Sequence, residues 1–348
     1  MATVALTGGG TAGHIMPCIA VAEELAKHFD RIIYFGGDGM EKEIVPSYGL
    51  PLYTTAVAKF SRREILDNFK IPFILAGAAK EAKDILRREN VQMLFAKGGY
   101  ATLPSALGAR SLGIPVVIHE SDYTMGMANR FISTFAAMTL TSFPETKGGE
   151  YVGNPIRREI FEGDAARARK RYGLNASRPV LLVFGGSSGS LKINEALFGC
   201  LRSLTTVYDV VHVTGKAEKE RLYIEHYKAV PYAEDIADLY AVADVIVMRA
   251  GANSLAEAAA LGKRVIAIPL PKSEVSRGDQ VLNAQSYYRR GAIDLLPQEE
   301  LTPGELEKRI VKIAALAPPK PAGANAAEKI VSRMLELLRA RRSDGARS

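Results

Sequence analysis

Short apolar runs along the chain alternate with stretches of helical periodicity. Val4–Leu6, Ile32–Phe35, Met93–Ala96, Val116–Ile118 and Met138–Leu140 have strand character, and Pro17–His28, Phe73–Glu89 and Thr102–Ser111 read as helices among them. This βαβ alternation predicts a parallel sheet. Asn154-Pro155 is a turn signal, and the polar helical stretch 163–179 precedes a fresh series of strands at Val180–Phe184, Val210–Val213, Val245–Met248 and Val265–Ile268. Between these lie helices at Leu191–Leu204, Ile236–Ala243, Ser254–Leu261 and Gln280–Arg290. The pattern predicts an α/β protein of two doubly wound, Rossmann-like domains, 1–154 and 155–324. Residues 315–325, rich in Pro and Ala, read as a linker to a last basic helix over 326–339, expected to pack back on the first domain, with a frayed tail from Arg341. Ligands of such sheets bind beyond the carboxyl ends of the strands, so two domains facing each other there form a cleft.

A length of 348 residues suits two domains of ordinary size, and a hydrophobic content of 47% permits both to be well packed. Cys18 and Cys200 lie far apart without CxxC or Cys/His spacing, which points to a reducing compartment and to neither a disulfide framework nor a zinc site. The N-terminus enters a strand pattern without a charged leader, and no stretch approaches the ~20 apolar residues of a membrane span, so the expected protein is soluble or peripheral. The net charge is +7, but residues 1–153 hold fifteen basic and fifteen acidic side chains, so the excess lies in the later part. With no RNA-binding aromatic signature and no zinc-finger spacing, the charge does not nominate nucleic acid as a partner.

The candidate chemistry lies in two glycine turns, Gly8-Gly9-Gly10-Thr11-Ala12-Gly13-His14 after the first strand and Gly185-Gly186-Ser187-Ser188-Gly189 after Val180–Phe184. Glycine lets a backbone approach oxygen atoms closely, and the helix that follows directs N–H groups and positive dipole at negative charge. Two such cradles suit a sugar nucleotide. The first contains a formal GxGxxG, which would suit a dinucleotide with Asp38 on its ribose, but Asp38 follows Gly36-Gly37 and that reading leaves the second cradle unexplained. His14 sits at a helix mouth, where the dipole disfavours the protonated ring and keeps it available as a base.

A third cluster, Arg249-Ala250-Gly251-Ala252-Asn253-Ser254-Leu255-Ala256-Glu257, ends a strand and begins a helix. Ser254 and Glu257 form either a capping box or, with the helix N-terminus, a site for a phosphate and a ribose diol; the local residues leave both open. Ser276 to Ala284 combines a polar loop with a helix start, which suits sugar hydroxyls or simply water. The stretch 59–88 carries eight basic and four acidic residues around Phe69, Ile71, Pro72, Phe73, Ile74 and Leu75, a composition that suits an anionic membrane surface or an ordinary amphipathic helix. No Asp-x-Asp occurs, so no metal site is expected, and leaving-group charge falls to helix ends and basic side chains.

Together GGGTAGH, Lys97-Gly98-Gly99-Tyr100, the run from Gly113 to His119-Glu120-Ser121-Asp122, Gly153-Asn154-Pro155-Ile156-Arg157, GGSSG and RAGANSLAE resemble the MurG family of bacterial peptidoglycan N-acetylglucosaminyltransferases, in family order over nearly the whole chain. The resemblance implies a GT-B fold and inverting, metal- and cofactor-independent transfer of GlcNAc from UDP-GlcNAc to the C4 hydroxyl of MurNAc in undecaprenyl-diphospho-MurNAc-pentapeptide (lipid I). It implies lipid II as product, a peripheral place on the cytoplasmic membrane face, and contact with an anionic membrane surface and other wall-synthesis proteins. By motif position, Ser187, Ala252, Asn253 and Ser254 would face the diphosphate and uridine, Glu257 the ribose, Arg157 the same negative charge and Gln280 the sugar hydroxyls. Thr11, Ala12 and Gly13 would line the acceptor side, with His14 as general base and Glu120 and Asp122 as competing carboxylates. Ala12, Ser121-Asp122 and Asp279 depart from the family pattern, and a positive φ at Ala12 would not tolerate its methyl. Other readings are a UDP-GlcNAc 2-epimerase, a diacylglycerol glycosyltransferase, or an idle sugar-nucleotide-binding scaffold.

Overall fold

The computed structural model describes residues 2–56, 71–186, 189–215, 224–273, 276–323 and 326–345. Contacts divide the chain into two units. The first runs to Arg157 and includes the C-terminal helix, and the second begins at Arg158.

In the first unit the elements are β1 (Thr3–Thr7), α1 (Ala12–Leu25), β2 (Arg31–Gly36), α2 (Glu41–Ser47), β3 (Leu52–Thr54), α3 (Ile71–Arg88), β4 (Val91–Ala96), α4 (Thr102–Ser111), β5 (Val116–Glu120), α5 (Met127–Ser133), β6 (Met138–Thr141) and β7 (Glu150–Tyr151). The strands form one parallel sheet in the order β3-β2-β1-β4-β5-β6-β7. Because successive side chains point to opposite faces, each inner strand feeds two cores. Val4, Leu6, Met93 and Phe95 join one with Ile15 and Ile19 of α1, whereas Ala5, Leu94 and Ala96 join the other with Ala82, Ile85 and Leu86 of α3. Burial on both faces explains why these strands read as unbroken apolar runs.

The second unit comprises α6 (Ala165–Tyr172), β8 (Val180–Phe184), α7 (Leu191–Val207), β9 (Asp209–Val213), β10 (Tyr227–Val230), α8 (Ile236–Val242), β11 (Val245–Met248), α9 (Ala252–Ala260), β12 (Arg264–Ala267), α10 (Asp279–Arg289), β13 (Asp294–Leu295) and α11 (Pro303–Ala314). Its sheet is also parallel, in the order β10-β9-β8-β11-β12-β13. A last helix, α12 (Ala326–Gly345), returns to the first unit, where Ile330, Val331 and Met334 join the core under α1. The strand order reverses between β1 and β4 in one sheet and between β8 and β11 in the other, which opens a crevice at each carboxyl edge.

Several boundaries differ from the sequence reading. Helix α1 starts at Ala12, five residues before Pro17, because the chain enters the helix straight from the glycine turn. Pro17 removes one intrahelical bond, to the carbonyl of Gly13, which is an exposed residue in the first turn of the helix. The polar stretch 163–179 is helical only over α6, which Asp164 caps through Ala166 N–H and Gly173 ends at φ 61°. The tail expected to fray is helical to Gly345, and Arg341 and Arg342 donate to Gly113 O (3.1 Å) and Gln92 Oε1 (2.8 Å). Residues 155–157 group with the first unit, so the division falls just beyond Arg157.

Candidate functional site

The first glycine turn occupies the switch point of the first sheet, between the ends of β1 and β4. Tyr34 donates to Gly8 O (2.7 Å), and Gly10 N–H donates to Glu41 Oε1 (2.7 Å). A Cβ on Gly9 would lie 2.0 Å from Glu41 Oε1, and one on Gly99 would lie 2.5 Å from Gly9 O. Only glycines permit this approach of the two loops, and Gly99 itself has φ +85°. Thr11 is the N-cap of α1 but makes no capping bond; its Oγ1 lies 3.1 Å from His14 Nδ1. Thr11 and Gly13 are exposed, Ala12 and His14 half-buried, and Ala12 is the first helical residue, outside the positive-φ set, so its methyl is tolerated. Asp38 is 82% exposed and paired with Lys42, apart from the turn.

Glu120 ends β5 and is buried, with both carboxylate oxygens engaged. Oε1 accepts from Asp122 N–H (3.0 Å), and Oε2 accepts from Gly126 N–H (2.9 Å) and Asn129 Nδ2 (2.9 Å). Gly126 is the N-cap of α5, so the carboxylate shapes the loop between β5 and α5 and favours the helix start through the dipole. Asp122 is half-buried on that loop.

A buried polar network lies behind these residues, and Lys97 and Ser121, His119 and Asn154 were not singled out as site residues from sequence. Lys97, 1% exposed, places Nζ 2.6 Å from His119 Nδ1 and donates to Ser121 Oγ. His119 Nε2 faces Gly153 O at 2.8 Å; a carbonyl only accepts, so Nε2 carries the proton and Nδ1 accepts from the ammonium. Ser121 and Ser142 both donate to Asn154 Oδ1 (3.2 Å). Burial lowers Lys97 to about 8 against the opposing pull of Glu120, Cys18 and Asp122, and burial holds His119 well below the imidazole range. The KGG and HES motifs were the available signal, but nothing local shows that their side chains meet.

In the second unit the turn after β8 and the motif after β11 are neighbours across the switch point. Ser187 lies outside the described residues. Helix α7 is capped by Ser190, whose Oγ accepts from Ile193 N–H and from Arg249 Nη2 (2.8 Å). Arg249 also donates to Ile268 O (3.1 Å) and Gln298 Oε1 (2.6 Å). Burial lowers Arg249 to about 10, still leaving a cation near neutral pH, fixed behind the turn.

Helix α9 is capped by Gly251, and Ala252, Asn253 and Ser254 are its first three residues without a side-chain cap. The capping-box reading therefore fails: the helix begins two residues ahead of Ser254, and Glu257 is turned elsewhere. Its Oε2 accepts from the buried Tyr240 hydroxyl (3.1 Å), itself packed edge-on against Phe184. Gln280 in the first turn of α10 accepts from Leu270 N–H (3.0 Å), which fixes its amide. Asp279 pairs with Arg277 (2.7 Å). Arg157, expected beside the donor phosphates, belongs to the first unit and donates to Tyr48 Oη (3.0 Å).

Two parallel doubly wound units, each with a glycine turn at its switch point, define the GT-B type of fold. The chain matches the glycosyltransferase family 28 N-terminal domain over residues 4–141 and the family 28 C-terminal domain over 180–338, and it belongs to that family. A protein of Geobacillus thermodenitrificans named "UDP-N-acetylglucosamine--N-acetylmuramyl-(pentapeptide) pyrophosphoryl-undecaprenol N-acetylglucosamine transferase" is 39% identical over 89% of this chain and 90% of its own. A protein of the same name from Lachnoclostridium phytofermentans is 38% identical over 87% and 88%. The crystal structure of Acinetobacter baumannii MurG superposes with a TM-score of 0.71 at 25% identity, covering 94% of this chain and 95% of that one. The UDP-GlcNAc 2-epimerase of Neisseria meningitidis, with a TM-score of 0.66 at 14% identity over 97% of this chain and 100% of its own, shares the fold alone.

Proposed function

We propose that the protein transfers GlcNAc from UDP-GlcNAc to the C4 hydroxyl of MurNAc in undecaprenyl-diphospho-MurNAc-pentapeptide, forming the β-1,4 linkage of lipid II. The observation that carries this reading is identity of 39% to a transferase of that name along 89% of the chain. The donor lies in the second unit, its diphosphate on the turn after β8, with Ser187, and on the N-terminus of α9, and its ribose on Glu257. Each helix N-terminus contributes roughly 0.3–2 kcal/mol toward the leaving UDP. Gln280 takes the sugar hydroxyls, and Thr11, Ala12 and Gly13 line the acceptor side.

His14 is the general base. With Nδ1–H donating to Thr11 Oγ1, Nε2 is the ring nitrogen that takes the proton of the acceptor hydroxyl. The oxygen then bonds to the anomeric carbon as the bond to UDP breaks, the electron pair leaving on the β-phosphate. Glu120 holds the loop in shape, and Asp122 remains the competing carboxylate. The first unit works against the cytoplasmic face of the membrane as a peripheral protein, since the polyprenyl chain of the acceptor stays in the bilayer. Among the described residues no helix is long and apolar enough to cross a membrane.

The test is incubation with labelled UDP-GlcNAc and a short-chain lipid I analogue, with and without EDTA. Lipid II analogue forming equally in both supports the reading. Free UDP with no disaccharide, or epimerised donor, would replace it with another activity of the fold, and loss of turnover on chelation restored by magnesium would remove metal independence.

A further inference from the structure

One buried carboxylate holds a turn that, on the reading above, must accept the acceptor's diphosphate, and two more act on the lysine beneath it. Glu41 is 1% exposed and hydrogen-bonded to Gly10 N–H; Glu120 and Asp122 stand on the neighbouring loop. Such a group repels an anion unless charge behind it is offset. Lys97 provides that charge from directly beneath the turn. Its backbone N–H donates to Thr7 O (2.8 Å), a Cβ on Gly8 would lie 3.1 Å from Lys97 Cβ, and Nζ reaches His119 and Ser121. Burying an ammonium on neutral partners is costly, which makes a site with no task for the charge an unfavourable place to keep one.

We propose that Lys97 is a positioning residue for the acceptor: its buried ammonium pins the loop carrying Asp122 through Ser121 and offsets the carboxylates behind the first glycine turn, so that a diphosphate can settle there. This rests on the transferase reading and adds a residue to it. Lys97 does not touch substrate. It acts through the loop and through its field, which a low-dielectric surrounding transmits.

The groups facing Nζ separate its titration from theirs. Cys18 of α1 is pushed up to about 12 and Tyr34 of β2 well above the phenol range, both by burial, and His119 stays neutral. Glu120 and Asp122 are the carboxylates that act on it, and Glu41 and His14 lie at the turn. Loss of acceptor affinity as pH rises through about 8 therefore reports Lys97.

The experiment measures kcat and both KM values from pH 7 to 9.5 for the wild type and Lys97→Met. The expected result is an acceptor KM raised roughly tenfold in the variant at pH 7, with donor KM within about twofold. Wild-type acceptor KM should rise through about pH 8 and the variant's should not. Equal acceptor KM in the two proteins, or a wild-type profile flat to pH 9.5, overturns the proposal; the wild-type profile needs no variant that folds. Failure of the wild type to make any disaccharide would instead sink the functional reading. Binding of farnesyl diphosphate in excess UDP, compared in the same two proteins, still reads the charge in that event: equal affinity overturns the role of Lys97, and weaker binding to the variant supports it.

Discussion

Asn129 Nδ2 donates to Glu120 Oε2 at 2.9 Å, tying the end of β5 to the first turn of α5. Glu120 accepts three such bonds, and a Gln side chain, with one oxygen and an NH₂, cannot accept them all. Glu120→Gln is expected to lower thermal stability, by about 1–3 kcal/mol for donors left unpaired, together with activity. Asn129→Ala should act in the same direction. The check is to measure melting temperature beside kcat. Full stability with kcat reduced a thousandfold would make Glu120 the base.

His14→Ala is expected to reduce kcat by roughly 10²–10⁴-fold with little change in donor KM. Thr11→Val, which removes the hydroxyl 3.1 Å from Nδ1, should cause a smaller loss, about tenfold, by freeing the ring. Steady-state kinetics decide the point. Near-normal kcat in His14→Ala passes the role to Asp122.

Glu257→Ala should weaken UDP-GlcNAc binding by about ten- to a hundredfold, the usual scale of a hydrogen bond to a charged group. Tyr240→Phe, which leaves the carboxylate in place without this hydroxyl, should lose a fraction of that. Calorimetric titration of donor provides the measure. Unchanged affinity in both would take the ribose contact away from this helix.

Acid should destabilise the second unit through His212. Its Nε2–H donates to Asn194 Oδ1 (3.0 Å), its Nδ1 accepts from the Tyr227 hydroxyl (2.9 Å), and burial lowers it to about 4. The unfolded chain takes up the proton first, at its ordinary value near 6.5, so the stabilising contribution is present above that pH and is lost as pH falls toward 4. The loss amounts to about 3 kcal/mol at most. His119, also held neutral, adds loss of the same sign below 6.5. Melting temperatures of His212→Gln between pH 7 and 4 should fall less steeply than those of the wild type; parallel curves would clear His212.

The outer side of α3 offers a place for membrane contact. Phe73 is 81% exposed and Ile74 40%, while Ala78, Ala82, Ile85 and Leu86 are buried. Phe73→Ser with Ile74→Ser should release much of the protein from anionic vesicles in sedimentation. So should Arg62, Arg63 and Lys70 changed to Glu, at roughly 1 kcal/mol for each basic residue; these three lie outside the described residues. Turnover of a water-soluble acceptor should survive either set. Unaltered sedimentation of the folded variants would put the contact elsewhere.

The inner strands, most of the longer helices between them and the two glycine turns were readable in the chain because each is set by near neighbours, whereas α2, α5 and α11 were not read. Residues 180–184 form a strand buried on both faces wherever the sheet places them, and Gly8 to Gly10 mark a turn whatever packs against it. The edge strands β3, β7, β10 and β13 were not legible, since two to four residues covered on few sides need no apolar run. The two readings of Ser254 stayed open in the sequence because a capping box depends on where the helix begins, and packing after β11 begins it at Ala252. The tertiary structure alone brings Lys97 to His119 and Ser121, 22 and 24 residues further along the chain. Those residues meet because β4 and β5 are adjacent in the sheet order, a long-range pairing that no local pattern encodes. The same holds for Arg249 and Ser190, 59 residues apart, which touch because β8 and β11 pair. Local sequence thus sets the backbone of both cradles, whereas the charges behind them depend on sheet order, which the packing of whole faces decides.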